Sequence, residues 1–136
     1  MSPQGKKILL VEDNLHNRRI FSSVLTHHGF EVREAVDGEE AVTMAREDPP
    51  DLILMDLSLP IKDGWTATRE IKETPGLEDI PVVALTAHAM DGDEERAREA
   101  GCDGYLSKPI SPKAVVEEVK RRLGTSLHHE RKSLIS

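Results

Sequence analysis

Five polar residues in this chain follow short apolar runs: Glu12 and Asp13 after KILLV (7–11), Asp56 after LILM (52–55), Thr86 after PVVAL (81–85) and Lys108 after GYLS (104–107). Their types suit phosphoryl transfer. Three carboxylates drawn together repel one another and call for a hard divalent cation; oxygen ligands with room for water suit Mg2+, with Mn2+ the alternative. With that charge neutralised, one carboxylate can attack phosphorus as a nucleophile. Asp56 is the best candidate, because an acid between Met55 and Leu57 is costly to bury without a partner. A lysine ammonium offers the phosphoryl oxygens a point charge and a threonine hydroxyl offers a hydrogen bond, which are the roles open to Lys108 and Thr86.

These residues meet only if the elements that carry them end at one place. Apolar runs of strand length recur five times: KILLV (7–11), FEVREA (30–35), DLILMDL (51–57), PVVAL (81–85) and GYLS (104–107). The third and fourth are almost continuously hydrophobic, as strands covered on both faces are in parallel sheets. Between them the spacing turns helical. Asn14 caps a helix with Ile20, Phe21, Val24 and Leu25 inward and Gly29 past its end. Asp37 caps a second, over Ala41, Val42 and Ala45, and Asp63 a third, over Ala67 and Ile71. A charged fourth runs from about Met90 to Ala100 and stops at Gly101. Ser111 and Pro112 open a fifth, whose stripe is Val115, Val116, Val119 and Leu123, with Lys120, Arg121 and Arg122 in its last turn. Five βα units with short connections and right-handed crossovers predict a parallel sheet with helices on both faces. In such a sheet the ligand site lies outside the carboxyl ends of the strands, where all five polar residues fall.

Composition narrows the function classes. The 136 residues are 38% hydrophobic and 32% charged, which suits one water-soluble domain. The start, MSPQGKK, precedes only a short apolar run, so neither a signal peptide nor a membrane span is expected, and the protein is placed in the cytoplasm. The single cysteine, Cys102, leaves no intrachain disulfide and reads as a small packed residue. The net charge is −7 with a pI of about 5.4 and no broad basic stretch, which argues against nucleic acid as a direct partner. Residues 6–123 form the expected domain, and 124–136, polar and without apolar period, a flexible tail.

The motifs ILLVEDN (8–14), DLILMDLSLPIKDG (51–64), PVVALTAHAM (81–90) and GCDGYLSKPIS (101–111) resemble, in order, those of a response-regulator receiver domain of two-component signalling. The resemblance implies a flavodoxin-like, CheY-like fold of five parallel strands in the order 2-1-3-4-5 with five helices. It implies that Asp56 accepts a phosphoryl group from a phosphohistidine on a histidine kinase or histidine phosphotransfer protein. Glu12, Asp13, Asp56 and the backbone carbonyl of Ser58 would hold Mg2+, with Thr86 and Lys108 on the phosphoryl group. Thr86 and Tyr105 would act as the switch, reshaping the face of helix four, strand five and helix five that meets a downstream protein. A cis Lys108–Pro109 bond is implied as well. His88, two residues past Thr86, would sit at the rim, where it and Ser58 influence the access of water; Trp65 reads as a half-exposed helix residue.

Too few residues follow 123 for an output domain, so a stand-alone, monomeric regulator of the DivK type is expected, not an enzyme, its chemistry limited to Mg2+-dependent self-phosphorylation and autodephosphorylation. A receiver excised from a hybrid histidine kinase is the alternative. A more distant rival is an aspartate-nucleophile phosphohydrolase, which generally needs a second acid two residues after the nucleophile; here that position is Ser58.

Overall fold

The computed structural model describes residues 5–59, 61–86 and 93–124. The strands are β1 (Lys7–Val11), β2 (Glu31–Ala35), β3 (Leu52–Asp56), β4 (Val82–Thr86) and β5 (Gly104–Ser107). They alternate with helices α1 (Leu15–His27), α2 (Gly38–Glu47), α3 (Gly64–Lys72), α4 (Asp93–Ala100) and α5 (Pro112–Val119). All four strand pairings are parallel and the spatial order is β2-β1-β3-β4-β5, the expected topology.

The side-chain period of two divides the sheet's apolar residues between two cores. Leu9, Val11, Ile53, Met55 and Val82 face Ala41, Val42 and Ala45 of α2 and Ala67 and Ile71 of α3. Their neighbours Ile8, Leu10, Leu52, Leu54, Val83 and Leu85 face Phe21 and Leu25 of α1 and Val115, Val116 and Val119 of α5. Every residue of β3 and β4 is buried, which is why those segments carry almost no polar residue before the last position. Edge strand β2 instead carries Glu31, Arg33 and Glu34, charges that discourage a foreign strand from pairing there.

Helix starts follow the expected chemistry. Asn14, Asp37, Asp63 and Ser111 each accept a hydrogen bond from a backbone N–H three residues on. Gly29 and Gly101, at φ 95° and 108°, turn the chain after α1 and α4. The expected fifth helix differs at its end: after Val119 the backbone widens into a π turn over Lys120–Gly124. There Arg121 and Arg122 bond the buried Glu118, and Arg122 also donates to the Asp103 carbonyl at 2.7 Å, so these cations serve specific partners beyond the helix dipole. The opening of the fourth helix near Met90, His88 and the tail from 125 onward lie outside the described residues. None of the described helices is long and apolar enough to cross a membrane.

Candidate functional site

The five polar residues expected to do chemistry stand at the carboxyl edge of the sheet, put there by the strands they end or follow. Asp56 and Thr86 are the last residues of β3 and β4, Glu12 and Asp13 follow β1, and Lys108 follows β5. Parallel register levels these ends, with Asp56 opposite Leu85 and Thr86 opposite Ser107. Glu12, Asp56 and Thr86 are almost fully buried, whereas Asp13 is exposed.

One oxygen from each of Glu12, Asp13 and Asp56 lies within 4.8 Å of the others. Lys108 Nζ donates to Asp56 Oδ2 at 2.8 Å and stands 3.6 Å from Glu12 Oε1. Burial alone would lower the Lys108 pKa, but the hydrogen bond and charge of Asp56, with Glu12 behind it, outweigh this and raise it. Asp56 Oδ1 accepts the Ser58 N–H at 2.9 Å. The Lys108 N–H donates to the Thr86 carbonyl, and the Lys108–Pro109 bond is cis as the resemblance implies.

Glu12 is the least satisfied member. Its Oε2 accepts the Asn14 N–H at 3.1 Å, while Oε1, buried, has no hydrogen-bond partner among the described residues. Burial first, and the neighbouring Asp56 carboxylate second, push its pKa up to about 7. One ammonium faces three carboxylates, and an orphaned carboxylate oxygen points into the cluster's charge problem. Hard oxygen donors in this state fit Mg2+ or a similar cation.

Two positioning features were not foreseen from the residues alone. Arg18 donates from one guanidinium nitrogen to the Glu12 carbonyl at 2.9 Å and from another to Glu34 at 3.0 Å, tying the acidic turn to α1 and β2. A cationic residue one turn into the helix after the acid pair was the available signal. Gly64 is the second: a Cβ there would come within 2.3 Å of the Asp56 carbonyl. Only glycine lets the first turn of α3 press against the strand end that carries Asp56. The available sequence signal is a glycine directly after the Asp63 cap.

Tyr105 is half-buried in a small cluster with Leu57, Ala84, Ala97, Trp65 and Cys102. This cluster joins the residue after Asp56 to α4 and β5. Trp65 is half-exposed as expected, and the Arg96 guanidinium lies over its ring at 4.2 Å from the centroid. Burial pushes the Cys102 thiol up to about 11, in keeping with a packed rather than reactive residue.

Comparison with known proteins follows the same lines. The family described as the response regulator receiver domain matches residues 8–120. The polar-differentiation response regulator DivK of Brucella anthropi is 45% identical over 119 residues, 88% of this chain and 97% of that protein. Among solved structures, the receiver domain of the sensor histidine kinase PA1611 from Pseudomonas aeruginosa, with a magnesium ion coordinated in its active site cleft, superposes with a TM-score of 0.82. It is 40% identical, over 88% of this chain and 98% of that one. The chain is also similar to a structure described as the Saccharomyces cerevisiae histidine phosphotransfer protein Ypd1 with the receiver domain of the response regulator Ssk1. There the TM-score is 0.84 and the identity 30%, over 90% of this chain and 92% of that one. The chain is a DivK-like member of the response regulator receiver family, a signalling domain of two-component systems.

Proposed function

We propose that Asp56 is the phosphoacceptor and that the chain works as a phosphorylation-controlled protein-interaction switch in the cytoplasm. The observation that carries this is the Lys108–Asp56 contact beside the Glu12–Asp13–Asp56 cluster. The donor is a phosphohistidine on a histidine kinase or phosphotransfer protein. An Asp56 oxygen forms the P–O bond as the P–N bond to the donor imidazole breaks, and the electron pair of that bond returns to the imidazole nitrogen. Glu12, Asp13, Asp56 and the Ser58 carbonyl hold Mg2+, or Mn2+ in its place. The cation supplies neutralisation of the charge that builds on the phosphoryl oxygens.

The chain's own groups do the rest. Lys108 moves from its contact with Asp56 to the transferred phosphoryl group, to which Thr86 donates its hydroxyl proton. Thr86 moves toward the phosphoryl oxygens, Tyr105 rotates into the space it vacates, and the face of α4, β5 and α5, where a downstream protein docks, changes shape. With Mg2+ the same machinery accepts a phosphoryl group from acetyl phosphate and loses it again to water. A receiver belonging to a hybrid kinase is the second reading, favoured by the likeness to the PA1611 receiver.

Incubation with acetyl phosphate and Mg2+ tests the site. One phosphoryl group per chain is expected, lost on Asp56→Asn and on chelation. Enzyme-like turnover of free phosphate esters would instead support the phosphohydrolase.

A further inference from the structure

The acidic turn after β1 is held by its backbone as well as by its side chains. The Glu12 N–H donates to the Ala35 carbonyl at the end of β2 at 3.0 Å, and the Glu12 carbonyl accepts from Arg18 Nη1 at 2.9 Å. Both backbone polar groups of this residue are therefore occupied, one across the sheet and one from α1. The Asn14 N–H holds one oxygen of its side chain at 3.1 Å. What is left is Oε1, buried and without a hydrogen-bond partner among the described residues, beside Asp13 and Asp56.

Arg18 is an unusual residue for its position. It lies in the first turn of α1, which has no acidic residue, and the positive end of the helix dipole disfavours a cation there. Its side chain is nevertheless only 14% exposed. The guanidinium Nε donates to Glu34 Oε1 on edge strand β2 at 3.0 Å, while Nη1 reaches the Glu12 carbonyl. A lysine has a single terminal nitrogen and lacks this rigid fork. One planar group thus joins α1, β2 and the acid pair, at a helix position where charge by itself favours an acid. Partners behind the ligands of a metal commonly set their orientation, and ligands gathered in advance bind more tightly than ligands that must be ordered on binding.

We propose that Arg18 is a positioning residue for the divalent-cation site: anchored by Glu34, it fixes the Glu12–Asp13 turn so that both carboxylates stand beside Asp56 before the cation arrives. This rests on the cation site of the phosphoacceptor reading, and the test separates the two.

Two roles for Arg18 predict opposite signs. As a charge alone it repels a cation, so removing it tightens Mg2+ binding. As a positioning residue its removal loosens binding. Titration calorimetry in about 0.15 M salt, which screens distant charges, gives the Mg2+ Kd of wild type, Arg18→Gln, Arg18→Lys, Glu34→Gln and the Arg18→Gln/Glu34→Gln double variant. Both Arg18 variants should raise Kd about tenfold, the lysine included, since it keeps the charge and loses the fork. Glu34→Gln should raise it about threefold in the wild-type background and not at all once Arg18 is gone. Unchanged or tighter binding in Arg18→Gln overturns the role of Arg18, as does a wild-type Kd in Arg18→Lys. A lower melting temperature with an unchanged Kd overturns it too, since that marks a structural role only. Should Arg18→Gln fail to fold, Glu34→Gln decides, at a side chain 40% exposed: an unchanged Kd there overturns the proposal. In each of these cases the cation site stands. A wild-type chain that binds no Mg2+ overturns the site and the role of Arg18 together.

Discussion

Two lysine–aspartate pairs stand at opposite ends of the sheet, each at 2.8 Å, and they have opposite characters. At the amino edge Lys72, the last residue of α3, bonds Asp103 and also donates to the Ile80 carbonyl at 2.7 Å. Asp103 in turn accepts the Val82 N–H at 2.9 Å. The charges balance and the polar atoms find partners, so this pair is a clasp between α3 and the starts of β4 and β5. At the carboxyl edge Lys108 meets Asp56 with two further carboxylates beside it, one of them with a buried, orphaned oxygen. Equal geometry and equal residue types thus give a settled contact in one place and a charged site awaiting a partner in the other. What differs is how many opposite charges surround the pair and how deeply they are buried.

Mutating both pairs should split labelling from stability. Lys108→Ala should slow labelling by acetyl phosphate about 100-fold, since one charged donor to the transferred group is lost. The rate of phosphoprotein formation measures it. Gly64→Ala, next in size, should lower stability by about 1–3 kcal/mol in urea titration, because the new methyl group forces α3 away from the Asp56 carbonyl; labelling should slow with it. Asp103→Asn should cost only about 1 kcal/mol, as this pair is partly open to water, and should leave labelling unchanged.

A further expectation concerns pH. The folded-state pKa of Glu12 lies above its ordinary value, at about 7. Without divalent ions, the folded state therefore holds a proton that the unfolded chain has released. Its stability contribution is complete below about pH 4.5, declines as pH rises towards 7 and is gone above it. Glu12→Gln should flatten that decline in chelator. Mg2+ should stabilise wild type more at pH 8 than at pH 5.5, because below 7 it must displace the proton. Thermal melts across pH, with and without Mg2+, check both. A clasp such as Lys72–Asp103 has no such Mg2+ dependence.

Much of this arrangement was legible beforehand, for local reasons. Asn14, Asp37, Asp63 and Ser111 announce helix starts because their side chains complete turns within three residues. The unbroken apolar runs before Asp56 and Thr86 announce strands buried on both faces. The roles of Arg18 and Gly64 were not legible, because each depends on what a distant segment brings to it: the Glu34 carboxylate of a neighbouring strand in one case, the Asp56 carbonyl in the other. The π turn after Val119 was hidden for the same reason, since it is joined to Glu118 and to the carbonyl of Asp103, a partner 19 residues away.

By itself the sequence determined which groups could do chemistry and that they would gather at one sheet edge, because a strand's last residue and a parallel topology follow from local pattern and chain connectivity. Only the tertiary structure decided that Glu12 is buried with an orphaned oxygen, that Lys108 reaches Asp56 while Lys72 closes a clasp, and that Ile61 stands exposed at φ 66°. Burial, distance and left-handed backbone angles arise from the packing of segments far apart in the chain, and they set which lysine–aspartate pair is left with unbalanced charge.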